Sequence, residues 1–279
     1  MTRPDAPEPA LDLNPHPSRR IRLLHALCRA FVGAYLRPRY EGRDRLPAGG
    51  AILTFNHLSW TDPFVVFASL PAEPRLYLFG PKEADMSVGL RNRLIAATRV
   101  ALPFRPDRRD LVGIVRRVEA VMAAGGRLAI AAEGRIHVGE RRVEPLSGGI
   151  ALFARRSGAP VVPMAINGTS YIAFRRPVRV RFGAPLTIAP GETDADFVAR
   201  VRAALLGLVA DWPETGAPRW PLGRVLSDLF NDWSDSPVRP ASPDDDGLPV
   251  VIPSITPVLP ALQPATTVAP ARKGSPDGS

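Results

Sequence analysis

The chain has 279 residues, 45% of them hydrophobic, enough for one domain of about 200 residues with appendages. Its formal charge of +9 and sequence pI near 10.8 point to anionic partners: lipid headgroups, phosphate esters or nucleic acid. A single cysteine, Cys28, excludes an intrachain disulfide and a Cys-rich zinc site, and no run approaches the ~18 apolar residues of a membrane-spanning helix.

Residues 1–17 are rich in proline and read as disordered. They lack the charged-then-apolar layout of a signal peptide, so the chain is expected in the cytoplasm. Residues 18–39 predict a basic amphipathic helix. Leu24, Leu27, Cys28, Phe31, Val32 and Tyr35 share one face, with Arg19, Arg22 and Arg29 elsewhere. Such a helix fits a membrane interface, its cations against anionic lipid, and fits equally a helix packed on a domain.

From Tyr40 the pattern alternates. Residues 51–55 (AILTF) read as a buried strand. Asp62 and Pro63 then predict a helix entrance, with Asp as N-cap and Pro at the first helical position. A strand follows at 75–79, a helix at 88–98 and an extended stretch at 99–105. Asp107 is expected to cap a long helix that Gly125 and Gly126 end. A strand at 127–132, a helix at 148–157 stopped by Gly158, strands at 161–166 and 178–182 and a helix at 194–212 complete the series. The alternation predicts a three-layer α/β domain with a mixed sheet over residues 40–212.

Beyond Trp212 the composition changes. Residues 213–279 hold 13 of the 32 prolines and carry more acidic than basic side chains, so the positive charge belongs to the part that folds. This stretch reads as a disordered Pro-rich tail, with one short helix at 220–233.

The chemistry concentrates between the strand at 51–55 and the helix after it, in Asn56, His57, Ser59, Trp60 and Asp62. A neutral imidazole can take a proton from a hydroxyl nucleophile. A carboxylate on its other nitrogen would fix the tautomer and stabilise the imidazolium. Taken alone, the pair also reads as a helix cap and a polar loop residue. No Gly-x-Ser-x-Gly frame surrounds Ser147, and no phosphate-binding loop, His-Glu-x-x-His or paired Cys-x-x-Cys occurs, so no metal or cofactor is expected.

Four blocks follow one another: Asn56-His57 with Asp62; Leu102-Pro103-Phe104-Arg105; Ala132-Glu133-Gly134-Arg135; and Val162-Pro163 with Ile166. Their order and spacing over residues 40–190 resembles the glycerolipid acyltransferase family, whose best-known members acylate lysophosphatidic acid. The third block departs from the usual Phe-Pro-Glu-Gly-Thr-Arg. Ala132 replaces proline, and Arg135 follows Gly134 directly, as in relatives that use lysophosphatidylethanolamine.

The resemblance implies an acyltransferase-type domain in which His57, oriented by Asp62, deprotonates a lysophospholipid hydroxyl. That oxygen attacks an acyl thioester on coenzyme A or acyl carrier protein, without an acyl-enzyme. Asn56, Arg105, Glu133, Gly134, Arg135 and Pro163 are the expected substrate-binding residues, with the arginines suited to clamp a phosphate. The expected partners are a lysophospholipid, an acyl thioester and the inner face of the cell membrane, met peripherally; no nucleic acid is expected. The alternatives are another acceptor, such as lysophosphatidylethanolamine or a lyso-ornithine lipid, and a non-catalytic basic protein that binds lipid or nucleic acid.

Overall fold

A computed structural model describes residues 13–79, 100–102, 111–134, 136, 137, 139–171, 173–214, 216 and 220–222. The expected helix at 88–98, the cap at Asp107, Arg105, Arg135 and nearly all of the tail lie outside the described residues.

Helix α1 (Arg19–Tyr35) leads into strand β1 (Arg37–Glu41) and a 3-10 turn (Arg43–Arg45). Then come β2 (Ala51–Phe55), α2 (Asp62–Ser69), β3 (Leu76–Phe79), β4 (Ala101–Leu102), α3 (Leu111–Ala123), β5 (Arg127–Ile130) and α4 (Gly149–Ser157). Strands β6 (Val161–Asn167) and β7 (Pro177–Phe182) and helix α5 (Asp194–Val209) complete the domain. The seven strands form one mixed sheet in the order β1-β7-β6-β2-β5-β3-β4. Every neighbouring pair is parallel except β6 and β7.

Layering follows from the side-chain alternation of strands. Ala51, Leu53 and Phe55 of β2 pack with Val65, Val66 and Phe67 of α2 and with Leu24 and Cys28 of α1. Ile52 points the other way, into a core with Ile114 and Val118 of α3, Ile150 and Phe153 of α4 and Phe197 and Val201 of α5. All five residues of β2 are therefore buried, as a central parallel strand covered on both faces must be. Each fully buried Ile52 or Leu53 contributes on the order of 1.5–3 kcal/mol. The three-layer α/β expectation is met.

Local rules set the boundaries. Ser18 Oγ accepts the Ile21 N–H at the start of α1, and Thr193 Oγ1 accepts the Asp196 N–H at the start of α5. Gly158, at φ 68°, ends α4 by giving its N–H to the Ala154 carbonyl.

Three expectations change. Residues 13–17 are not loose: Pro17 is buried and the Pro15 carbonyl accepts the Arg75 N–H. Prolines without a side-chain donor can still lend carbonyls to a neighbouring strand. Asp62 is the first helical residue rather than the N-cap, which is Thr61, because the carboxylate is engaged by the preceding loop. On α1 the apolar residues divide between two faces. Ile21, His25 and Val32 are buried, while Leu23, Leu27 and Phe31 are 60%, 59% and 66% exposed.

Candidate active site

Strands β2 and β5 are parallel neighbours, with Thr54 opposite Ile130. From β2 the chain crosses by α2 to β3 on one side, and from β5 it crosses by α4, on the opposite face, to β6 on the other side. The carboxyl ends of two such strands bound a crevice, the usual ligand site of open α/β sheets. The loops that leave β2 and β5 at this point carry His57 and Glu133.

His57 Nδ1 lies 2.9 Å from Asp62 Oδ2. The Asp62 side chain is 0% exposed and that of His57 is 19% exposed, so the carboxylate is sealed while the ring reaches the surface. Oδ2 also accepts the N–H groups of Leu58 at 2.7 Å and Ser59 at 2.9 Å. This is how a five-residue offset brings the two side chains together. The loop wraps around the carboxylate, and α2 begins as it closes. Because the carboxylate only accepts, the neutral ring carries its proton on Nδ1 and leaves the Nε2 lone pair for an incoming hydroxyl. Phe55 meets the ring edge-on, with centroids 6.0 Å apart.

Glu133 stands on the neighbouring loop with its side chain 0% exposed. Its Oε2 accepts the His57 main-chain N–H at 2.7 Å, and its Oε1 accepts the Glu144 N–H at 2.9 Å. A buried carboxylate with two charge-assisted bonds is a rigid post, here set against the main chain of His57. Gly134 has φ 69° and donates its N–H to the Ala131 carbonyl, closing the turn after β5. Open space surrounds the position of its missing Cβ, so glycine serves the left-handed backbone and not a close approach.

Of the expected site residues, His57, Asp62, Glu133 and Gly134 come together. Asn56 adjoins them but is fully buried, with both ends of its amide committed. Nδ2 donates to the Ile166 carbonyl at 2.9 Å and Oδ1 accepts the Ile166 N–H at 2.7 Å. That clamp joins β2 to β6 where the strands part, and it uses one N–H and one lone pair of an amide with no exposed surface. Pro163 sits in mid-strand opposite Thr54, below the crevice, and its carbonyl accepts the Gly183 N–H. Two residues were missed. Glu144 supplies a main-chain donor to Glu133, a contact that no side-chain pattern announces. His137 is 5% exposed and meets both His57 and Glu133. Its spacing of four from Glu133 was the one available signal.

The acyltransferase family model matches residues 37–167. Those residues form a domain of the acyltransferase family. They contain the His57, Asp62 and Glu133 geometry and six of the seven strands. Among solved structures the chain is similar to the 1-acyl-sn-glycerophosphate (LPA) acyltransferase, PlsC, from Thermotoga maritima, at 15% identity and a TM-score of 0.55. The match covers 70% of this chain and 81% of that one, and it establishes a shared fold. No curated protein matches the chain by sequence. Residues 37–167 thus carry the acyltransferase match, and they lie within an α/β fold shared with the PlsC enzyme. Among the described residues, no helix is long and apolar enough to cross a membrane.

Proposed function

We propose that this acyltransferase domain moves a fatty acyl group from acyl-coenzyme A or acyl carrier protein to the free hydroxyl of lysophosphatidic acid, giving phosphatidic acid. The observation that carries the reading is the His57–Asp62 pair, with its carboxylate sealed and its imidazole partly exposed. The fold it shares with an acyltransferase named for lysophosphatidic acid supports the choice of acceptor.

In this mechanism His57 Nε2 takes the hydroxyl proton as the oxygen attacks the thioester carbonyl. The C–S bond breaks, the thiolate leaves, and the proton held by His57 passes to it. Asp62 keeps the ring in the required tautomer and stabilises the transient imidazolium. No acyl-enzyme forms. Cys28 lies on α1, half-buried, with its thiol pushed up to about 11 by burial and thus a poor nucleophile. Arg105 and Arg135 are proposed to hold the phosphate of the acceptor.

The same reading places α1 on an anionic bilayer. Leu23, Leu27 and Phe31, with Ala26, Ala30 and Ala34, form an exposed apolar stripe beyond Arg19, Arg20 and Arg22. A stripe of this spacing next to cations suits a helix lying in the headgroup region.

Purified protein with labelled acyl-coenzyme A or acyl carrier protein and a panel of lysolipids in mixed micelles tests the proposal. The expected result is thiol release coupled to phosphatidic acid formation from lysophosphatidic acid, abolished by His57→Ala. Product from another lysolipid alone would overturn the acceptor and keep the class. No product from any pair would overturn the catalytic reading.

A further inference from the structure

We infer that His137 is a positioning residue that fixes the main chain of His57, acting partly by its own backbone and partly through Glu133. The inference rests on the reading of His57 as the base. Its observations are independent of the reaction.

His57 belongs to no helix or strand, so its ring points correctly only if its peptide groups are held from outside. Both are. The His57 carbonyl accepts the His137 N–H at 2.9 Å, and the His57 N–H goes to Glu133 Oε2 at 2.7 Å. The His137 imidazole then closes the arrangement, with Nε2 3.0 Å from that same Oε2. The angle departs from hydrogen-bond geometry, so this contact is electrostatic in character. Among the described residues, His137 is the side chain within ion-pair distance of Glu133 that can carry positive charge.

Physical consequences follow from the burial. The Glu133 carboxylate holds the His57 N–H only while its Oε2 stays in place, and the buried His137 ring set against that oxygen fixes it there. A displacement of about 1 Å in a catalytic group costs on the order of 100-fold in rate, so the arrangement is worth holding tightly.

The test uses the full chain and two readouts. The chain contains four histidines, so nitrogen-15 histidine spectra can be assigned by single substitutions. His137→Leu keeps the volume and removes the polar contact, whereas His137→Gln presents an amide nitrogen near the place of Nε2. In His137→Leu the His57 main-chain amide and ring resonances should move and kcat should fall about 10- to 100-fold, with KM for the lysolipid within about 2-fold. In His137→Gln both readouts should return most of the way. In the double substitution with Glu133→Gln, kcat should fall no further than in Glu133→Gln alone.

Unchanged His57 resonances in His137→Leu would overturn the inference. So would a loss confined to KM, or additive losses in the double substitution. If both His137 variants unfold, the role is structural and the inference also falls. If the native protein acylates no lysolipid, the functional proposal fails while the spectra still decide the role of His137.

Discussion

The loops after β2 and β5 leave adjacent ends of one sheet, and each buries a carboxylate that accepts main-chain N–H groups. They use it differently. Asp62 binds the His57 ring and the two peptide groups beside it, so one oxygen sets both the tautomer and the loop. Glu133 does not meet the ring's Nδ1 and holds the His57 peptide instead. In the proposed mechanism the first carboxylate would take part in proton transfer, and the second would set where that transfer occurs. A site of this kind has a chemical half and a positioning half, supplied by separate stretches of chain.

Substitutions should separate the halves. His57→Ala removes the base and should lower kcat by about four orders of magnitude with the fold intact, as circular dichroism and thermal unfolding would report. Asp62→Asn should come next, at about 1,000- to 10,000-fold, because the amide favours the wrong tautomer. It should also destabilise the protein by about 1–3 kcal/mol, since a neutral amide oxygen accepts the Leu58 and Ser59 N–H groups more weakly than the carboxylate and the amide nitrogen would sit buried where Oδ1 has no partner. Glu133→Gln keeps one acceptor and should cost about 10- to 100-fold in kcat. If Glu133→Gln proved as severe as Asp62→Asn, the division between the loops would not hold.

Positions outside both loops sharpen the contrast. Asn56→Ala should act on stability: two buried main-chain groups of Ile166 lose their partners, at about 2–5 kcal/mol in urea unfolding. Phe31→Asp on α1 should leave turnover of micellar substrate unchanged to within about 2-fold, while reducing sedimentation with anionic vesicles. Full vesicle binding by that variant would move the membrane contact away from the helix.

Much of the fold was legible because its signals are local. The run from Ala51 to Phe55, the glycine at 158 and the spacing of Ile114, Val118 and Met122 each specify an element from neighbouring residues alone. The His57–Asp62 pair was legible for the same reason, since both lie on one short loop. Contacts across the sheet were not. Glu133 and His57 are 76 residues apart, and their bond uses a main-chain N–H that every non-proline residue possesses. Asn56 invited a substrate role because polar residues beside a catalytic histidine often have one. Its commitment to Ile166, 110 residues away, becomes visible only when β2 lies beside β6. The division of α1 into two apolar faces was hidden likewise, because helical periodicity does not tell which face the domain covers.

In the proposed mechanism His57 activates the acceptor directly. Rapid mixing of the protein with labelled acyl-coenzyme A, first alone and then with lysophosphatidic acid, tests it most directly. No thiol burst and no protein-bound label are expected before the acceptor arrives. Phosphatidic acid should then form on addition of the acceptor, and His57→Ala should form none. A stoichiometric burst with label retained on the denatured protein, or His57→Ala turning over at the native rate, would contradict it.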